Sequence, residues 1–293
     1  MNWDDIRLFL AVARAGQILA AARRLGLNHA TVGRRLDGLE KAIAAKLFER
    51  RPNGCVLTAD GAAFLPAAER MEAEMLSARA ALGSAEVGLT GTVRIGAPDG
   101  FGTAFLAARL GRLSEQHPGL TIQLVPVPRA FSLSRREADI AITMDRPEEG
   151  RLVAQKLVDY ALGLYASSAY LDAHGRPQTL ADLSGHRLVG YVDDLLSTPS
   201  LDYAAEIVGD FASRFEISSA LGQTEAVAAG AGIGILHAFI AKKRAGLERV
   251  LPERELRRAY WLVYHESARG LARITAVAAA IREMVEAERA SFQ

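Results

Sequence analysis

Four arginines close to the N-terminus, with a group of small and polar residues beside them, carry the chemistry that most needs explaining. Arg34, Arg35, Arg50 and Arg51 each supply a flat, permanently charged fork of donors. Such forks fit phosphate oxygens and the O6/N7 edge of guanine bidentately. Asn28, His29, Ala30, Thr31 and Gly33 stand around the first pair. Their amide, imidazole and hydroxyl groups can reach base edges or phosphates, and the two small residues let the backbone itself come close. Arg50 and Arg51 run into the turn signal Pro52-Asn53-Gly54, and Thr58 follows it. This set acts together only on a scaffold that turns it all one way.

The periodicity supplies such a scaffold. Ile6, Phe9, Leu10 and Ala13 recur at i, i+3, i+4 and i+7, which predicts a helix from about Asp4 to Gly16. A second helix is expected over about 17–25, with Ala21, Ala22 and Leu25 inward and Gly26 as a left-handed stop. Alanines on that face permit the close crossing of a helix-turn-helix. Asn28 then caps a third helix with Val32, Leu36 and Leu39 inward. A step of about 100° per residue puts Ala30, Arg34 and Asp37 on the opposite face, flanked by Thr31 and Gly33. Arg34 therefore faces outward, toward solvent or a polyanion. Residues 46–58 read as a two-stranded wing with Arg50 and Arg51 at its base, suited to phosphates, and Thr58 caps the long helix that follows.

Composition narrows the rest. The chain has 293 residues, 50% hydrophobic and 24% charged, ordinary globular usage for about two domains. No apolar run reaches the roughly 18 residues that span a bilayer, and Met1-Asn2-Trp3-Asp4-Asp5 does not read as a secretory signal, so a cytoplasmic place is expected. One cysteine, Cys55, permits no internal disulfide and no cysteine-based zinc site. Net charge is +4 over residues 1–60, −2 over 61–90 and −1 over 91–293. The basic end points to a polyanion and the neutral body to another task.

With Phe9, Ala21-Ala22, Leu25, Val32, Leu36, Leu39-Glu40, Leu47-Phe48, Arg50, Leu57-Thr58 and Gly61 in order, residues 3–61 resemble the winged helix-turn-helix of the LysR-type transcriptional regulators. That family usually carries Ser-Gln-Pro-Ala-Val-Ser where this chain has Asn28-His29-Ala30-Thr31-Val32-Gly33. Two familiar polar contacts are thereby lost, so the preferred DNA sequence does not carry over. The resemblance implies an N-terminal all-α winged helix-turn-helix over 1–60, a long linker helix over 61–88, and a C-terminal α/β two-lobed periplasmic-binding-protein-like domain over 89–293. It also implies double-stranded DNA, a second or further copies of the chain, a small-molecule effector and RNA polymerase as partners, and no cofactor. The seam Phe64/Leu65, Ala68, Met71, Met75, Ala78, Leu82 steps by three and four, and is expected to meet a second copy or the chain's own C-terminal domain.

Beyond Gly88-Leu89-Thr90-Gly91, which reads as a hinge, strands alternate with helices and predict a largely parallel α/β domain. Val93-Arg94-Ile95-Gly96, His117-Pro118, residues 136–142 and Ala229 to Gly234 resemble the family's effector domain. In such folds ligands meet strand C-termini and helix N-termini. This makes Pro98, Asp99, Gly100, Phe101, Thr103, Thr143, Asp193, Gln223 and Thr224 the candidate effector residues. A carboxylate at Asp99 favours a small polar ligand that is zwitterionic or cationic; simple turn and capping roles are the plain alternative for several of these positions. Enzyme motifs fail: Gly230-x-Gly232-x-Gly234 meets Ile235 instead of a third glycine, no phosphate-binding loop or nucleophile elbow occurs, and His265-Glu266 is followed by Arg269. The expectation is a regulator, not an enzyme. A cytoplasmic small-molecule binding protein using its N-terminal helices for protein contacts, and an α/β enzyme with an unrecognised cleft, stay open as alternatives.

Overall fold

The computed structural model describes residues 2–51, 54–82, 89–127, 138–147, 151–195, 202–209 and 212–293. They fall into two compact units, one made of the described residues up to 82 together with 267–272, the other of the remaining described residues from 89 onward. The expected junction at Gly83-Ser84 and Gly88, the Pro52-Asn53 turn tip and Arg136-Glu137 lie outside the described residues.

The N-terminal unit holds α1 (Trp3–Ala15), α2 (Ile18–Leu25), α3 (His29–Ile43), the hairpin of β1 (Phe48–Arg51) and β2 (Gly54–Leu57), and α4 (Ala59–Leu82). A capping box starts α1: the Asn2 side chain accepts the Asp5 N–H at 2.9 Å while the Asp5 carboxylate accepts the Asn2 N–H at 3.1 Å. Asn28 caps α3 by accepting the Ala30 N–H at 2.8 Å. Ile6, Phe9, Leu10, Ala21, Ala22, Val32, Leu36 and Leu39 form one core. Phe9 joins it to the wing through Phe48 at 5.3 Å and to α4 through Phe64 at 5.1 Å between ring centroids. A Cβ on Gly61 would lie 2.1 Å from the Leu47 carbonyl oxygen, so only glycine lets α4 cross the strand so closely.

The seam on α4 divides in two. Ala68 is fully buried, and Phe64 and Leu65 pack on the same core, whereas Met71 and Met75 are each 40% exposed. Its first half thus belongs to the helix-turn-helix core, and an open groove beside Trp3, Ala67, Met71, Met75 and Ala78 remains. The helix begins two residues before Gly61, so Pro66 sits in its third turn.

The C-terminal unit is a two-lobed α/β structure on one eight-stranded sheet. The sheet contains β3 (Gly91–Ala97), β4 (Leu120–Pro126), β5 (Ile140–Thr143), β6 (Leu152–Ser167), β7 (Leu188–Gly190), β8 (Phe215–Glu216), β9 (Ile233–His237) and β10 (Leu247–His265), in the order β4-β3-β5-β10-β6-β9-β7-β8. The expectation of a largely parallel sheet needs correction. Each lobe is parallel within itself, in β3/β4, β3/β5, β7/β8 and β7/β9, but the two long strands β6 and β10 pair antiparallel and join the lobes. The β6/β10 ladder runs from Ser167/Leu247 to Leu152/His265, with register shifts at Val250/Glu255 and Tyr260/Trp261. Helices α5 (Asp99–Phe101), a π-helical turn (Gly102–Leu106) and α6 (Ala107–Gln116) run on from one another after β3. The remaining helices are α7 (Ser168–His174), α8 (Ala204–Ile207), α9 (Ala220–Ala228), α10 (Ala238–Ala241) and α11 (Ala272–Ala287). No helix among the described residues is long and apolar enough to cross a membrane.

Candidate nucleic-acid interface and ligand cleft

The first turns of α3 are presented as its periodicity demands. Val32, Leu36 and Leu39 are buried, His29, Ala30 and Arg34 are exposed, and Thr31 and Gly33 are half-buried at the flanks. Arg34 has no ion pair among the described residues. Arg23 and Arg24, in the last turn of α2, are likewise exposed and unpaired there, and extend the positive face; their position after Ala21-Ala22 was the available signal.

Arg35 differs from its neighbour. Its Nε donates to the Asp5 carboxylate at 2.9 Å and its remaining nitrogens engage Asp4, Asp5 and Asn2. The Arg35 hydrogen bond holds the Asp4 carboxyl below its ordinary range. Arg35, a candidate DNA contact, ties the reading helix to the start of α1, where three acceptors surround it.

The wing is fixed by a second carboxylate. Glu40, 6% exposed, accepts the backbone N–H of Leu47 at 2.9 Å and of Phe48 at 3.2 Å, and pairs with Lys46 at 2.7 Å. Burial alone would raise its pKa; Lys46 and the two N–H groups overcome this and lower it. The wing arginines stay exposed, Arg50 paired with Asp37 and Arg51 with Glu49 at 2.7 Å. Both are surface pairs that a phosphate can replace. Thr58 caps α4 as expected, accepting the Gly61 N–H at 2.9 Å, and its hydroxyl donates to the Lys46 carbonyl. Its proton is therefore already committed within the fold.

In the C-terminal unit the candidate effector residues gather only in part. Asp99 and Gly100 meet the N-terminus of α9, and Pro98 stands just before them as the N-cap of α5. Asp99 Oδ2 accepts the Ser219 hydroxyl at 2.6 Å and lies 3.5 Å from the Leu221 N–H, while Ser219 Oγ accepts the Gly222 N–H at 3.1 Å. The charge of Asp99 thus rests against the positive end of α9. A Cβ on Gly100 would lie 3.2 Å from both the Ala220 Cβ and the Ile240 Cδ1, so the two lobes touch there. Gln223 and Thr224 are both 2% exposed; Gln223 donates to the Ile217 carbonyl at 2.9 Å and Thr224 to the Ala220 carbonyl at 2.8 Å. Thr143 is tied to the Asp145 carbonyl at 2.7 Å. Thr103 is exposed.

Phe101 is a correction. It is fully buried, 4.6 Å from Tyr260 and 5.2 Å from Phe105 between centroids, and is part of an aromatic core with Tyr160, Phe239 and Phe292. The helix starts at Asp99 and turns Phe101 inward. Sequence reasoning also missed His237 and the tyrosines. His237 closes β9, stacks on Tyr160 at 5.3 Å, and is pushed down to about 4 by burial, against the opposing pull of Asp99. Tyr191, Asp193, Asp202, Tyr203 and Gln223 line a cavity of about 40 Å³. No lysine or arginine lines it among the described residues. No group of three or more histidines, cysteines and carboxylates among the described residues could hold a metal ion.

Residues 3–62 match the bacterial regulatory helix-turn-helix protein, lysR family, and residues 86–286 the LysR substrate binding domain. An HTH-type transcriptional regulator of Xanthomonas campestris pv. campestris is 30% identical over 184 residues, 63% of this chain and 54% of that protein. The chain therefore spans about half the length of that curated relative. Among solved structures, CrgA of Neisseria meningitidis is 23% identical with a TM-score of 0.58, covering 97% of this chain and 99% of that one. A full-length OxyR variant of Pseudomonas aeruginosa is 17% identical with a TM-score of 0.73, covering 97% of each chain. At these identities the two structures speak for the fold.

Proposed function

The chain belongs to the LysR family of bacterial regulatory proteins, and from that premise we propose that it is a sequence-specific DNA-binding transcriptional regulator controlled by a small-molecule effector. The observation that carries this reading is the outer face of α3, where His29, Thr31 and an unpaired Arg34 stand around the small Ala30 and Gly33. A helix so dressed enters a major groove with its backbone close to the bases and Arg34 within reach of guanine O6/N7. Arg50, Arg51, Arg23 and Arg24 supply phosphate contacts that fix register.

Two copies would act together, covering the exposed Met71 and Met75 on paired α4 helices, and the operator would then carry two related half-sites. The effector would enter between the lobes of the C-terminal unit, where Asp99, Asp193 and Asp202 favour a cationic or zwitterionic molecule. Pulling Asp99 away from Ser219 would loosen the contact between lobes, and through the dimer alter the spacing of the reading helices. Selection of bound fragments from genomic DNA, followed by titration at rising salt, tests the reading. Binding to a selected duplex should weaken steeply as salt rises. A purified protein that selects no duplex, or whose binding ignores salt, sinks it.

A further inference from the structure

The lobe of β7, β8 and β9 holds a cavity of about 620 Å³, between the 3-10 turn Ala181–Gly185, β7 and the residues Val208, Ala212 and Arg214, which follow α8 and precede β8. This is within the range of small-molecule sites. Leu180, Leu183, Leu188 and Val208 give it an apolar wall, and His186, Arg187 and Arg214 its polar edge. No aspartate or glutamate lines it among the described residues.

The cationic edge is held in place from behind. The Tyr170 hydroxyl accepts the Arg187 N–H at 2.9 Å and bonds to His186 Nδ1 at 3.3 Å, and the Arg187 guanidinium lies 5.4 Å from the Tyr170 ring while one nitrogen donates to the Gly230 carbonyl at 3.2 Å. Arg214 is anchored by its backbone, whose N–H donates to the Leu188 carbonyl at 3.2 Å, and its exposed side chain has no partner among the described residues. Asp182, beside the turn, is committed to the N–H groups of Gln178 and Thr179 at 2.9 and 2.8 Å. Two guanidinium groups therefore border an apolar hollow whose lining holds no carboxylate among the described residues.

We propose that this cavity is a second ligand site, separate from the cleft between the lobes, and that it takes a small organic anion joining a carboxylate to an apolar ring or short chain. Arg214 and Arg187 bind the carboxylate, and the leucines and Val208 cover the apolar body. The assignment does not depend on DNA binding. His186 reports on it: burial and the charge of His174 lower its pKa, Asp182 opposes them, and a bound anion raises it.

Benzoate is the probe, titrated calorimetrically into the full chain, with inorganic phosphate and benzyl alcohol as arms lacking the ring or the charge. Benzoate should bind saturably, with affinity roughly tenfold lower in Arg214→Ala, lower again in Arg214→Glu, and unchanged in Asp99→Asn. The His186 ring signals should titrate at higher pH when benzoate is present. Benzoate binding that survives both Arg214 variants, or is lost in Asp99→Asn, overturns the assignment, as does no binding. Phosphate binding as tightly as benzoate overturns the apolar part of it.

Discussion

The outer face of α3 and the cleft around Asp99 were both expected to receive ligands, and the fold treats them in opposite ways. On α3 the inward residues are apolar, and on the outer face Asp37 pairs with Arg50 while Arg34 is exposed with no ion pair among the described residues. In the cleft Asp99 rests on Ser219, Gln223 on the Ile217 carbonyl and Thr224 on the Ala220 carbonyl, while the buried Tyr191 hydroxyl has no partner among the described residues. A surface that meets a large polyanion can stay open to water at little cost. A polar cleft between lobes must satisfy its own groups until a ligand replaces those bonds, since an unpaired buried polar atom costs about 1 to 3 kcal/mol.

The largest expected effects come from groups that hold each region together. Glu40→Ala leaves the Leu47 and Phe48 N–H groups without their acceptor and should lower stability of the N-terminal unit by about 3 kcal/mol or more. Denaturant unfolding followed by Trp3 fluorescence in a Trp261→Phe background reads this, and an unchanged midpoint would mean the wing is held some other way. In the C-terminal unit, His237 is neutral in both folded and unfolded chains above its ordinary value near 6.5. As pH falls toward its folded value of about 4, only the unfolded chain takes up the proton. Stability should therefore drop by on the order of 3 kcal/mol across that window and not above it. His237→Phe should flatten that slope in acid unfolding curves; a slope that survives the substitution assigns it elsewhere.

The finest test separates two adjacent arginines. Arg34→Ala should lose about 1 to 3 kcal/mol of discrimination between a selected duplex and one altered at a single base pair, with thermal stability unchanged. Arg35→Ala should do the reverse, costing no more than about 1 kcal/mol of stability, because its pairs are partly exposed, and leaving discrimination as it was. Equal effects of both on discrimination would erase the distinction.

How far these roles could be read in advance follows from how local their causes are. The three helices, their caps at Asn28 and Gly26, and the outward turn of Arg34 rest on residues within one or two turns of each other, and all were legible. Arg35 was not, because Asp4 and Asp5 lie thirty residues away and no periodicity announces them. The full length of β6 was hidden by Lys156 and Asp159, which interrupt its apolar run and pair with each other at 2.7 Å on the surface. Phe101 was misplaced because rings that bury it, those of Tyr260 and Phe292, lie far along the chain. The stacked Tyr160, Tyr260 and His237 come from three strands and leave no pattern in the chain.

The paired strands β6 and β10 give the C-terminal unit a mechanical character of its own. A two-stranded ribbon resists bending wherever its rungs are complete and gives way where they are missing. Here the rungs lapse at two places, between Val250 and Glu255 and between Tyr260 and Trp261, the second next to the stretch where β10 also pairs with β5. Bending stress on this unit would therefore concentrate at these two joints, so the stretches of ribbon between and beyond them can swing as rigid arms while the sheet around each stays undistorted.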